Sequence, residues 1–355
     1  MITKKVNAQR SLTIKRNGLI LMATAVILAT CSAVRAGELG HFNPGVANIR
    51  DFVVPEPGFY AMLYNYYYTS NRLNDRDGNK VHSVTIDPPG GKPDLTFKAD
   101  VDLDLYALSP LLLWVSPWEV AGARYAAYVA PSFATSSLGA SLAVAHGQEI
   151  SGDLDSSFGR GDLIVQPLWL GWSMIHWDLA LGYGFYAPIG RYEVETVTFP
   201  VVGPQKVEAK DNIGLGFWTH QIQGAAAWYP WAHRGTAMLA ALTYEINHEK
   251  EDFDITPGSH LTLNWGVSQY LPLSTDRRWV LEIGPAGYSQ WKVTDDTGSD
   301  ARNGSVHDQV HAAGWQVGLV YSPWNAALSF RYLYELASEA RFQGQVLGLN
   351  LALKY

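Results

Sequence analysis

The sequence predicts an all-β fold: a transmembrane antiparallel up-and-down β-barrel of about twelve strands. Three observations carry this. From Gly58 onward, stretch after stretch alternates apolar and polar residues with period two, the signature of strands with one greasy and one wet face. The connections between these stretches are alternately short and long, as in a hairpin meander with one tight end and one elaborated end. The last residues place Leu347, Leu349, Leu351, Leu353 and Tyr355 on one face, and Gly348, Asn350, Ala352 and Lys354 on the other. Such a strand suits a wall between lipid and a wet lumen, with the final aromatic at the interface. Leu349, Leu351, Leu353 and Tyr355 are therefore the expected membrane-insertion signal.

The chain starts with the pattern of a secretory signal over residues 1–36. Lys4, Lys5, Arg10, Lys15 and Arg16 precede the uncharged run Gly18 to Thr30, and Val34-Arg35-Ala36 supplies small residues before a cut ahead of Gly37. That run is shorter than the roughly 20 apolar residues a spanning helix needs. No other stretch comes close, so a membrane-embedded chain must cross as a closed sheet, the alternative that satisfies its backbone polar groups. The only cysteine, Cys31, lies in this segment. Its context Leu28-Ala29-Thr30-Cys31 resembles a lipoprotein acylation site, but Thr before the Cys fits poorly, and the plainer reading discards it with the signal. The processed chain then relies on neither disulfides nor thiol chemistry. The expected location is the outer membrane of a Gram-negative bacterium.

Residues 37–57 read as an irregular segment that tucks into the lumen or the periplasmic mouth, and 58–355 as the barrel. Strands are expected near 58–70, 97–115, 121–135, 160–172, 177–188, 212–229, 236–247, 260–271, 279–292, 311–321, 326–335 and 342–355. Short turns fall at Ser116-Pro117-Trp118, Ser173 to His176, Pro230-Trp231, Pro272 to Arg278 and Ser322-Pro323-Trp324. Long polar connections fall at 71–96, 145–159, 189–211, 248–259, 293–310 and, more briefly, 336–341. With the last strand ending in the periplasm, every Pro-Trp turn is periplasmic: Pro stops pairing and Trp marks the headgroup level. A secreted β-sandwich also predicts alternation, but not an outward face as aromatic as Trp177, Leu179, Leu181, Tyr183 and Phe185.

Loss of the six basic residues in 1–36 would take the net charge from −7 to −13, which excludes nucleic acid as a partner. In the second strand Lys98, Asp100, Asp102 and Asp104 share one face, and Phe97, Ala99, Val101, Leu103 and Leu105 the other. Charge on a lipid face costs several kcal/mol near the midplane, roughly 2–4 for basic residues, so the charged face is expected in the lumen. Arg124 on the next strand is placed to pair across with one of these aspartates. The expected lumen residues are Asp100, Asp102, Asp104, Arg124, Asp178, Glu245, Glu282 and Arg331, each interrupting apolar alternation. They form either a constriction that filters solute or an ion-pair ladder that fills a narrow barrel, and the ladder is the plainer reading.

Catalytic and metal signals are weak. The ten histidines form no metal-type pair on one element; His307 and His311 flank a loop without supporting ligands. A lipid hydrolase embedded in a barrel needs Ser, His and a polar orienter within hydrogen-bond reach. No His has Ser two residues on, and His260-Leu261-Thr262 is the nearest approach. The acidic loop clusters Glu249 to Asp254 and Asp295 to Asp300 lack spaced Ca²⁺ ligands and read as solvated loops. No catalytic residue, metal or cofactor is expected.

The most specific local signal is Gly40-His41-Phe42-Asn43-Pro44-Gly45, followed by Pro55-Glu56-Pro57-Gly58 ahead of the Tyr-rich first strand. This resembles the MetA-pathway phenol-degradation family of outer-membrane barrels, including the SphA-like proteins. The resemblance implies a pore for small hydrophobic or aromatic compounds and supplies no catalytic residues. The expected function is an outer-membrane channel or transporter for such compounds, with His41, Phe42 and Pro44 as a plug from the N-terminal segment. The rivals are a lipid-modifying enzyme of the outer membrane and a non-conducting structural or adhesin barrel. Expected partners are outer-membrane lipid and lipopolysaccharide, the barrel-assembly machinery and a small apolar solute, with the protein acting as a monomer.

Overall fold

A computed structural model describes residues 38–86, 95–144, 148–199, 203–301 and 303–355. The expected signal over 1–36, with Cys31, lies outside the described residues. Sixteen strands are present among them: β1 Gly58–Ser70, β2 Ser83–Ile86, β3 Leu95–Val120, β4 Ala123–Val144, β5 Gln148–Asp155, β6 Gly159–Ser173, β7 Trp177–Ala187, β8 Val194–Phe199, β9 Gly203–Glu208, β10 Thr219–Trp228, β11 Thr236–Asn247, β12 His260–Pro272, β13 Trp279–Lys292, β14 Gln309–Tyr321, β15 Ala326–Glu339 and β16 Gln345–Lys354. No helix among the described residues is long and apolar enough to cross a membrane.

Twelve of these strands close into a ring in the order β3-β1-β16-β15-β14-β13-β12-β11-β10-β7-β6-β4, sealed by the pairing of β3 with β4. Every pairing in the ring is antiparallel, and the first strand pairs with the last, Tyr60 opposite Lys354 and Thr69 opposite Gln345. Closure removes the sheet edges, which is the condition for burying a sheet in hydrocarbon. The other four strands lie in connections expected to be plain loops. β2 pairs with the start of β3, β5 with the end of β4, and β8 with β9 as a separate hairpin. The strand expected from 212 begins only at Thr219.

One turn also differs. Ser116-Pro117-Trp118 lies inside β3, and the chain reverses at Ala121-Gly122, both with positive φ (51° and 74°). A two-residue hairpin loop of this kind matches the twist of the flanking strands. Pro117 is tolerated in the strand because the pairing of β3 with β4 is irregular between Val115 and Glu119, where the missing N–H breaks no regular ladder.

Faces alternate as period two requires. Along β7, Asp178, Ala180, Gly182, Gly184 and Tyr186 are buried, while Trp177, Leu179, Leu181 and Tyr183 are exposed. The same outward apolar band runs through Ile222, Met238, Leu242, Val317, Leu328, Phe330, Leu349 and Leu351. Aromatics gather at the end of the barrel that carries the short turns: Trp118 stacks on Tyr125 at 5.9 Å and Trp114 meets both edge-on at 5.5 and 6.0 Å, and Tyr321 lies 4.3 Å from Trp279 and 5.3 Å from Trp324. This is the girdle expected where a barrel meets headgroups.

Candidate functional site

The core of this protein is its lumen, and much of what fills it is the segment between Glu38 and Pro57. Its local sequence dictates a path that hugs the wall. Gly45 has a φ of +79°, and a Cβ there would meet the Leu333 and Tyr288 side chains at 2.8 and 3.0 Å. A Cβ on Gly40 would sit 2.5 Å from a Glu245 carboxylate oxygen. Glycine at both positions is thus a requirement of close approach and, at Gly45, of a left-handed backbone.

His41, Phe42 and Pro44 are all buried. The His41 Nε2 lies 3.0 Å from Asp162 Oδ2 on β6, and Nδ1 lies 2.7 Å from the Thr219 hydroxyl on β10. Its ring stacks on Tyr186 at 4.7 Å and meets the edge of Phe217 at 4.7 Å. Asp162 also accepts from the backbone N–H groups of Gly190 and Leu215, at 2.9 and 2.8 Å. One buried carboxylate thereby joins the segment to two connections at the long-loop end.

Beyond His41 the backbone is held residue by residue. Phe42 N–H donates to Glu245 (2.8 Å) and its carbonyl accepts from Gln290 (3.1 Å). Gly45 N–H donates to Asn264 (3.2 Å), and Ile49 N–H to Gln316 (3.0 Å), which also accepts from Arg331 (2.6 Å). Asn48 accepts from Ser329 and Asn350. Arg50 forms the most elaborate anchor. It contacts the Ser268 hydroxyl at 2.9 Å, Glu282 at 3.3 Å and two backbone carbonyls, and lies 3.9 Å over the Tyr270 ring. Ser268 in turn donates a hydrogen bond to Glu282.

The lumen therefore has two characters. From β10 round to β16 its wall offers polar groups that satisfy the segment's backbone. From β1 through β3 and β4 to β6 it offers Tyr66, Tyr68, Leu113, Val115, Ala126 and Trp169, which cluster with Phe42, Ile49, Phe52 and Val54 of the segment; the same apolar cluster continues between the polar groups of the other wall through Leu239, Tyr288, Leu333 and Val346. The polar docking is incomplete: Glu245 Oε2, Asn264 Nδ2 and Arg331 Nε are buried with no hydrogen-bond partner among the described residues. Unused polar capacity of this sort reduces what is gained on docking.

Of the eight expected lumen residues, five face inward. Asp178, Glu245, Glu282 and Arg331 are buried, and Arg124 is part-buried at the short-turn mouth. Asp178 accepts from the Tyr229 hydroxyl (2.6 Å) and pairs with Arg234 (2.7 Å). The other three are corrected: Asp100, Asp102 and Asp104 are exposed on the outward face, with Leu103 and Leu105 turned to the core. They sit on the half of β3 that continues past Tyr67, whose hydroxyl donates to Asp104 at 2.6 Å. That half pairs with β2 and with the end of β4, toward the long connections, where an outward charge stands clear of the midplane and carries no hydrocarbon penalty. Arg124 accordingly meets none of them and pairs with Glu56 of the N-terminal segment at 3.1 Å.

Two ionic knots close the long-loop end. Lys250 is buried between Glu38 and Glu208, at 2.5 Å from each. Burial alone would lower its pKa, but the two carboxylates outweigh burial and raise it above the usual lysine range. Asp308 meets His260 at 3.2 Å and Arg341 at 2.9 Å. Burial pushes its carboxyl up, yet the hydrogen bond with His260 and the Arg341 charge win, holding it at about 2. His260 is thus turned inward and engaged structurally. Among the described residues no group of three His, Cys, Asp or Glu side chains is arranged to hold a metal ion.

The family model described as "Putative MetA-pathway of phenol degradation" matches residues 70–351. Among solved structures, an outer-membrane channel from Pseudomonas putida F1 shares the fold, with a TM-score of 0.58 at 14% identity over 89% of this chain and 100% of that one. A Pseudomonas aeruginosa FadL homologue aligns more loosely, with a TM-score of 0.35 at 9% identity over 84% of this chain and 90% of that one. No curated protein matches the sequence.

Proposed function

The chain belongs to the phenol-degradation family of that description, and from this premise we propose that it is an outer-membrane channel for small hydrophobic or aromatic compounds, gated by its own N-terminal segment. The observation that carries this reading is the division of the lumen. The segment's backbone is fixed by hydrogen bonds to the polar wall, whereas on the opposite wall its polar contacts are confined to its two ends, His41 on Asp162 and Tyr64, Tyr60 and Arg124 around Asp51 to Glu56, and between them Phe42, Phe52 and Val54 pack through apolar contacts. An apolar solute that wedges between Phe42, Phe52, Val54 and the Leu113–Trp169 side replaces one set of non-directional contacts with another, at little cost. A polar solute would have to break directed hydrogen bonds. The lumen residues Arg124, Asp178, Glu245, Glu282 and Arg331 act here as the frame that positions the segment.

The barrel sits as a monomer in the outer membrane of a Gram-negative cell, its apolar band against phospholipid and lipopolysaccharide, after insertion by the barrel-assembly machinery. Removal of residues 38–57 tests the gate. Planar-bilayer conductance should rise, and proteoliposomes should take up a labelled monocyclic aromatic faster than with the intact chain. Unchanged conductance and uptake in a folded, heat-modifiable barrel would refute the gate.

A further inference from the structure

We propose that Ser289 and His311 form a nucleophile and base pair on the outward face of the barrel, able to hydrolyse acyl esters of membrane amphiphiles. This lies outside the lumen, is independent of solute passage and departs from the expectation of a chain without catalytic residues. The register of β13 against β14 sets Ser289 directly opposite His311, and the two side chains meet with Oγ 2.9 Å from Nδ1. Both are partly exposed, whereas their chain neighbours Gln290, Val310 and Ala312 are buried toward the lumen. Trp291 packs its ring edge-on against His311 at 5.5 Å and restricts the imidazole.

The surroundings resemble a site more than an isolated hydrogen bond. His311 lines a pocket of about 300 Å³ together with Gln309, Glu339, Arg72 and Asp77, and Ser289 stands behind it on the next strand, outside the lining. Gln309 and Glu339 are opposite one another on β14 and β15, so Glu339 is a diagonal neighbour of His311, within reach of a long side chain. The pairing slips next to this point: Ala312 faces Glu335 while His311 faces Ala337, and the extra residue, Leu336, is 63% exposed beside the pocket. A bulge re-aims side chains, and here it adds an apolar surface for an acyl chain next to a polar cleft. Ser289 lies three residues from the end of β13, roughly 10 Å along a strand, between the greasy band and the long loops.

The chemistry balances without a further reactant except water. Ser289 Oγ bonds to the ester carbonyl carbon while its proton passes to His311 Nδ1. His311 then gives that proton to the departing alkoxide as the C–O bond breaks. Water attacks the acyl-serine, its proton returns through His311 to Ser289, and the carboxylic acid leaves.

The test uses the full chain purified in detergent, with heat-modifiable gel migration to report the folded barrel. It measures labelling by a fluorophosphonate probe and turnover of p-nitrophenyl palmitate in mixed micelles. The proposal expects labelling at Ser289, its loss in Ser289→Ala, and a fall in turnover of roughly 10²–10⁴-fold in both Ser289→Ala and His311→Gln. Absence of labelling and turnover in the folded wild-type chain would overturn it, as would turnover that survives Ser289→Ala.

Discussion

Replacing His41 with alanine should loosen the N-terminal segment without disturbing the barrel, and the structure gives the scale. The substitution removes two buried hydrogen bonds, to Asp162 at 3.0 Å and Thr219 at 2.7 Å, and a stack on Tyr186 at 4.7 Å. At about 1 kcal/mol for the neutral bond, about 1.5 for the bond to a carboxylate and about 0.5–1 for the stack, the docked segment loses roughly 3 kcal/mol. Asp162 keeps two backbone donors, from Gly190 and Leu215, so its burial adds little further cost. Since about 1.4 kcal/mol is a factor of ten, the ratio of detached to docked segment should rise on the order of a hundredfold. Single-channel recordings in planar bilayers read this as a marked increase in open-state occupancy. The expected record differs from that of the segment deletion: brief, frequent openings to the same full level, because the segment remains tethered and redocks. An unchanged gating record from a folded barrel would refute the reasoning that His41 holds the segment.

Two further outcomes follow from the same geometry. Arg50→Met should destabilise the docked segment and barrel by roughly 1.5–3 kcal/mol, because Glu282 loses the guanidinium but keeps Ser268 and Gln316 as donors; the thermal shift of the heat-modifiable transition checks this. Acid should weaken the clasp at the long-loop end. Asp308 titrates at about 2 in the folded protein against an ordinary 3.8, so its contribution is complete above about pH 4 and is lost as pH falls through 2. The loss is on the order of 2 kcal/mol. Melting between pH 5 and pH 2 should therefore fall more steeply for the wild type than for Asp308→Asn.

The ring of strands was legible because period two survives in most wall segments: β7 and β11 show the alternation directly in their residues and in their burial, whereas β4 and β6 are interrupted by register shifts. The additions β2, β5, β8 and β9 are harder to see because they are short and set in polar connections: β2 and β5 alternate over only four and eight residues, and β8 and β9 mix polar and apolar residues on each face. The motif around His41 was legible as unusual, and the structure buries it among wall residues. Its partners were not legible, since Asp162, Thr219 and Glu245 come from strands far along the chain. The reading of Asp100, Asp102 and Asp104 failed for a definite reason. Alternation tells which residues share a face but not which face is inward, and the rule that charge avoids lipid holds only within the hydrocarbon depth. β3 is longer than that depth, so its distal half obeys the opposite preference.

Local sequence alone determined the all-β meander, the number of wall strands and the greasy stripe along them, because each depends on side chains two residues apart. Tertiary closure decided everything that depends on register: which carboxylates face the lumen, which wall the N-terminal segment binds, and that Ser289 stands beside His311 although 22 positions separate them in the chain. Register is set by the summed hydrogen bonding of the whole cylinder, a quantity that no single stretch of residues contains.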